Sequence, residues 1–460
     1  MKNYFKITLF LITSLLLSCS DDTDETSETI DNEIISMIPN FGYEGDEIAF
    51  KMANAISQNS NVEITYENQQ ATITSINNDE IKHIMLSSDL VSKNLKIDNQ
   101  NISIQYLYGL KPYINCSNCK EKAFPYSGND EVESAIASVF KKNNEIYLIK
   151  TYRNNNYDYK TSLLKTDADF NLISETILFN RLPISKAIFE NDSFVITNEL
   201  GVFSFDLTGN EIWSYNTSIS AGTSSSYIGY LTNSIYKTNS HYYIIKKPNN
   251  SDSQPIEIIK LDLNGQLTSS IYVPNPDNNN ELQNAIILTN INNKIVVFTS
   301  FCCENDNWGY VILDDNDNII RNTFNQIEIR NINYVEGNSI YFNRHTGGSY
   351  PNFNFELVKI SLDNNNYFQT DWTKDDYNGN IIKYNNKYLS IQNDKILVFN
   401  DNNFNNPTIF NSSLVDYEGV LRWGSNVYDN DVYLFGHRTI EFANDYHSLV
   451  GKYDLNYIIN

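Results

Sequence analysis

Nine side chains in the second half of the chain have the make-up of a recognition surface: Trp308, Arg344, His345, Tyr350, Trp372, Tyr377, Trp423, His437 and Arg438. Aromatic faces stack on apolar surfaces of a ligand, while Arg, His and neighbouring Asn and Asp take its hydroxyl groups. A sugar presents that mixture, so the chemistry read here is non-covalent glycan binding. The competing reading packs each ring between strands, where it stabilises the fold and meets no ligand. The histidines (His83, His241, His345, His437 and His447) are scattered, and only the last three fall near the candidate group.

The cysteines divide into three groups. Cys116 and Cys119 form a CxxC, but redox use needs the first thiol at a helix N-terminus, and no helical periodicity follows Cys119. Zinc would want a second such pair. A structural disulfide is therefore expected in an oxidising compartment. Cys302 and Cys303 are adjacent and either bridge each other or pair elsewhere; four thiols beyond Cys19 allow three full connectivities.

Signatures of catalysis are missing from the sequence. It has no HExxH, GxSxG elbow, Walker loop or dinucleotide glycine fingerprint. Asp371, Asp375, Asp376, Glu418 and Glu441 leave a carboxylate pair for glycoside cleavage open, although lone acids of this kind are usually solvated turn residues. Asp314, Asn316 and Asn318 alternate as oxygen ligands, yet the Gly and closing Glu of a calcium loop are absent. No metal and no cofactor are expected.

What must position the nine residues is a hairpin that recurs. Its first copy is Asn143-Asn144-Glu145-Ile146-Tyr147-Leu148-Ile149, and later copies centre on Asp192, Ser240, Asn293, Asn338, Asn386 and Asn430, 44 to 53 residues apart. Each is a polar two-residue turn followed by an apolar strand. A second turn keeps the same period, beginning at Asp167, Asp206, Asp262, Asp314, Ser361, Asn400 and Asp454. Asp and Asn suit such turns because their side chains bond the backbone two residues on and tolerate positive φ. Two turn signals on one period of this length predict an all-β chain whose residues 134–460 form a seven-bladed propeller of four-stranded blades.

The repeat also sorts the connections. The Asn turns and Asp turns fall on one face and are tight. The opposite face takes the long segments 153–160, 247–255, 301–308, 344–354 and 437–447 within blades, and 216–227, 274–283, 370–380 and 411–422 between them. Binding residues concentrate on loops held by a rigid scaffold, so the long-loop face is the expected working surface.

The formal net charge of −23 becomes about −25 if residues 1–18 leave with Lys2 and Lys6. Such a polyanion lacks the counterion-release drive of nucleic-acid binders, and nucleic acid is excluded as a partner. Lys2 and Lys6 followed by the apolar run Ile7 to Leu17 fit a secretory signal. Leu16-Leu17-Ser18-Cys19 resembles the lipobox of bacterial lipoproteins, which implies acylation of Cys19 and anchoring in a membrane. Ser20-Asp21-Asp22-Thr23-Asp24-Glu25 resembles the export signal of surface lipoproteins of the Bacteroidota, implying the outer membrane with the protein facing the exterior. Residues 19–33 are too charged and too poor in apolar side chains to fold and read as a tether.

From Ile34 the text changes to period-two alternation, as in Val62-Glu63-Ile64-Thr65-Tyr66 and Ala71-Thr72-Ile73-Thr74-Ser75. Ile35-Ser36-Met37-Ile38-Pro39, Gly42 and Gly45-Asp46-Glu47-Ile48 resemble the opening of IPT/TIG domains, which implies an immunoglobulin-like sandwich over 34–107 acting as a spacer. Met52-Ala53-Asn54-Ala55 stands where that family has Gly-x-Asn-Phe. Residues 108–133 then read as a connector. Ser204-Phe205-Asp206-Leu207-Thr208-Gly209-Asn210-Glu211-Ile212-Trp213 resembles one blade signature of PQQ-like propellers, and Cys302-Cys303 is similar to the vicinal pair of quinoprotein alcohol dehydrogenases. Only one blade carries the Gly and Trp together, and no ligand set for the cofactor's calcium can be placed.

The resulting expectation is a cell-surface lipoprotein that binds a glycan through the long-loop face, beside an outer-membrane importer. A scaffold or adhesion module using the same face is the alternative, and a carbohydrate-active enzyme a third.

Overall fold

The computed structural model describes residues 32–459 apart from 39–40, 87–92, 99, 105–106, 111, 125–130, 155, 157, 220–233, 247–255, 275–282, 302–307, 326–328, 330–331, 350–351, 376–378, 393–394, 412–419 and 441–442. Cys19, Tyr350, Tyr377, Cys302 and Cys303 lie outside the described residues.

The alternating N-terminal text folds as two four-stranded sheets. One orders Ile34–Ile38, Glu47–Met52, Glu80–Ile84 and Ile73–Asn77; the other orders Gln69–Gln70, Val62–Tyr66, Lys93–Ile97 and Gln100–Ser103. Strand Val62–Tyr66 buries every second residue, as period two requires. Ile48, Phe50, Ile64, Tyr66, Ile81 and Leu95 from both sheets form one core. His83 is fully buried within it, 2.8 Å from the Tyr66 hydroxyl through Nε2.

Five four-stranded antiparallel meanders follow in chain order, beginning at Ile188–Phe189, Ile235–Lys237, Gln283–Ile291, Ile332–Glu336 and Asn380–Tyr384. An eight-stranded sheet holds the first and last repeats. Its first half is Glu131–Lys142, Glu145–Asn154, Tyr159–Asp167 and Leu172–Phe179; its second is Val420–Tyr428, Asp431–Ile440 and Ala443–Asp454, joined to the first by the single parallel bridge Glu133–Tyr446. The fourth strand of that last half corrects the connector expected at 108–133. Lys120–Phe124 pairs antiparallel with Ala443–Asp454, Lys120 opposite Lys452 and Phe124 opposite Ser448. After Asp454 the chain turns into the short helix Leu455–Ile459 rather than a strand.

The second strand of the second, third and sixth repeats is buried on both faces, which is why its sequence is a continuous apolar run rather than an alternation. Its residues divide between two neighbours. Tyr242 and Ile244 pack with Val195 and Val202 of the preceding sheet, while Tyr243 and Ile245 pack with Ile295 and Val297 of the following one. Successive apolar clusters join each sheet to the next, and the last cluster sets Tyr433, Phe435 and Val450 against Ile136, Ile146 and Leu148 of the first half-sheet. Polar ties follow the same cyclic order: Lys142 with Asp192, Tyr242 with Glu190, Lys260 with Asp317, Lys294 with Asn366, Tyr388 with Glu336, Tyr384 with Asn430, and Lys141 with Asp429.

The Asp turns share one geometry. The Oδ1 of Asp206, for instance, accepts from the Thr208 and Asn210 amides at 2.8 and 2.9 Å, and Asp167, Asp262, Asp314 and Asp363 repeat the pattern. Three residues after the Asp, φ is positive, at Phe170, Gly209, Gly265, Asp317, Asn366 and Phe404. Gly265 has a second constraint: a Cβ there would lie 2.3 Å from Cε3 of Trp213 in the neighbouring sheet. The Trp of the quinoprotein-like signature thus packs on the turn glycine of the next sheet, and the signature's own Gly209 closes on Thr176 of the preceding one. Gly265→Ala combines a strained φ of +78° with that collision, and should cost about 2 kcal/mol in equilibrium unfolding.

Candidate functional site

Opposite the tight turns, several segments expected as long loops are strands that run on. Ser339–Ser349 and Asn352–Leu362 extend one hairpin almost to its tip, as do Glu145–Asn154 with Tyr159–Asp167 and Asp431–Ile440 with Ala443–Asp454. Their polar sequences give no apolar alternation, but ladder hydrogen bonds do not need one. Arg344, His345, His437 and Arg438 therefore stand on strands, not in loops.

Pairing between neighbouring strands at this end supplies partners for the cations. Arg344 opposes Glu356 in register and its Nε donates to Oε1 at 2.5 Å; Glu356 is only 6% exposed. Arg153 donates to Glu133 at 2.7 Å and Lys246 to Glu257 at 2.7 Å, and the second contact holds Lys246 above the ordinary lysine range. These half-buried pairs fix long side chains near the strand ends and leave acceptors and donors in known places. Below them, Lys150 and His437 are buried, with Lys150 Nζ 5.2 Å from the Tyr152 ring centroid. Ser134 and Ser448 bond each other at 3.0 Å across the junction of the first and last sheets.

Trp372 departs from its expected role. It lies in strand Phe368–Asp375, its ring 5.5 Å from Phe404 and 6.0 Å from Tyr341, packed between the fifth and sixth repeats. The apolar positions around it compete for the ring more strongly than solvent does, and it belongs to the fold. Trp308, His345, Trp423, Arg438 and His447 have described backbones in strands, Arg438 opposite His447; Trp308 begins Trp308–Leu313 and Trp423 lies in Val420–Tyr428.

Among the acids, Asp371 is committed to Ser361 Oγ at 2.6 Å and lies 3.4 Å from Lys359, and Asp375 opposes Glu356 in register. Asp376, Glu418 and Glu441 fall outside the described residues. Among the described residues no group of three or more His, Cys, Asp or Glu is placed to hold a metal ion. The carboxylate of Asp314 serves its own turn, and Asn318 and Asn316 donors hold it below the usual range. Burial pushes Asp206 up, but bonds from Thr208 and Asn210 outweigh it and bring it to about 2. Cys116 and Cys119 are joined by a disulfide. Sequence reasoning missed Glu133, Glu257 and Glu356, because opposite charges become partners only once the strand register is known.

No protein-family model matches this chain, and no curated protein matches it. Among solved structures, the WD40 domain of Pan2 from Neurospora crassa shares 12% identity at a TM-score of 0.45, over 74% of this chain and 97% of that one. An auxiliary nutrient binding protein from Bacteroides thetaiotaomicron shares 10% identity at 0.30, over 92% and 98%. The polysaccharide lyase Uly1 shares 7% at 0.44, over 69% and 90%. At these values the likenesses do not extend to function.

Proposed function

We propose that the chain is an envelope lipoprotein in which a seven-bladed propeller, carried on an immunoglobulin-like sandwich, binds a ligand at the end opposite its tight turns. The five separate meanders and the two halves of the eight-stranded sheet make seven blades, and the cyclic order of their apolar clusters supports a closed ring. One observation carries the functional reading. The two ends of the strands differ: one repeats a uniform Asx turn and ties adjacent sheets through pairs such as Lys142–Asp192 and Lys260–Asp317, while the other carries pairs within single sheets, Arg344–Glu356, Arg153–Glu133 and Lys246–Glu257. Uniform turns serve the scaffold, and irregular polar hairpins serve recognition.

A glycan is the most concrete ligand, because such pairs present both donors and acceptors to hydroxyl groups. Cys19 provides the lipid anchor, the outer membrane the location, and an importer the neighbouring partner. A glycan array probed with residues 34–460 tests this. Binding that Arg344→Ala and Arg438→Ala each weaken tenfold or more supports it; a blank array, or binding insensitive to both, removes it. A protein-contact role is favoured by one feature, the exposed Leu172, Ile173 and Ile177 on the outer strand Leu172–Phe179.

A further inference from the structure

The strand that completes the last sheet is gripped from outside the ring. Glu121 accepts hydrogen bonds from the Tyr43 hydroxyl of the sandwich at 2.6 Å, from the Tyr113 amide at 2.5 Å and from the Tyr453 hydroxyl of the last sheet. Beside it, Lys122 pairs with Asp46 of the sandwich, whose other carboxylate oxygen accepts the Tyr43 amide at 2.9 Å. The connector is stitched at both ends. Tyr108–Gly109 runs parallel to Phe41–Gly42 with Leu110 N donating to Gly42 O at 2.7 Å, and the Tyr113 hydroxyl donates to Gln392 O in the sixth repeat. Tyr43 and Tyr113 are both buried.

A sandwich hung on a flexible linker would make none of these bonds. We propose that the sandwich is the lock on ring closure: seated on Lys120–Phe124, it holds that strand against Ala443–Asp454 and keeps the last blade shut. The inference rests on the ring reading above. A five-residue strand with charged residues at three positions has little apolar area of its own to stay paired, so the added contacts decide its residence. The seat also fixes orientation. Asn32 bonds Asn54 and Gln100, and Ile34 pairs with Met52, so the chain enters the sandwich at the end of Glu47–Met52 opposite Asp46.

Amide hydrogen exchange on the intact chain tests the lock. In the double variant Tyr43→Phe with Asp46→Asn, amides of 120–124 and 448–452 should exchange at least tenfold faster than in the parent, with 241–246 and 256–262 unchanged. Should the double variant not fold, Tyr43→Phe alone, which keeps the buried ring, should give a smaller acceleration confined to the same two segments. Unchanged exchange at 120–124 in the folded variant overturns the lock while leaving the ring intact. Free exchange of 120–124 in the parent itself would instead overturn the ring.

Discussion

Replacing Phe404 by Ala should lower the unfolding free energy by about 3–5 kcal/mol, the cost of emptying a large buried aromatic site. Phe404 is fully buried, with ring centroids of Phe399, Tyr388, Trp372 and Tyr341 at 4.7, 5.4, 5.5 and 5.6 Å. It sits three residues into the Asp401 turn with φ of 54°, where a side chain is strained and Gly or Asn is the usual occupant. Ala keeps that backbone penalty, so the substitution isolates packing. The ring is a plug between the fifth and sixth repeats, and the strain is tolerated because the plug fills the junction. Denaturant unfolding of the variant measures the loss; a change under 1 kcal/mol would mean the two sheets do not meet there.

Acid should weaken the sandwich through His83. Burial lowers its pKa to about 4, partly offset by the Ile48 backbone and the Glu47 charge. The folded state thus disfavours the protonated ring relative to the unfolded chain, whose histidine titrates near 6.5. The stabilisation is fully present above that value and is lost as pH falls toward about 4. At ~1.4 kcal/mol per pKa unit, the loss is about 3 kcal/mol. Other carboxylates titrate in the same window, so the reading is a difference. Between pH 7 and pH 4 the parent should lose about 3 kcal/mol more unfolding free energy than His83→Phe. Parallel curves would show that His83 titrates normally.

The parts legible from sequence were those with local chemistry. Asn and Asp turns announce themselves because the residue types meet a backbone demand within five positions, and Asp206, Asp262 and Asp314 all meet it alike, whereas the fifth turn, read from Ser361, begins two residues later at Asp363. Half-buried strands such as Val62–Tyr66 were legible from alternation. Three features were not legible in this way. Lys120–Phe124 has no pattern of its own, and its role depends on a strand more than three hundred residues away. The polar hairpin ends near Arg153, Arg344 and His437 read as loops because no apolar face marked them as strand. Trp372 could be assigned to packing only once Phe404 and Tyr341 were beside it. A tryptophan's type does not reveal whether its neighbour is a ligand or the next sheet.

Closure by the N-terminal strand is tested most directly by cross-linking. Ala123 and Leu449 oppose each other in the antiparallel register, within the Cα separation that a disulfide spans. Ala123→Cys with Leu449→Cys should yield, on mild oxidation and peptide mapping, a single intramolecular bridge between the two positions in nearly all molecules. Free thiols at both positions, or bridges only between separate chains, would contradict a ring closed in this way.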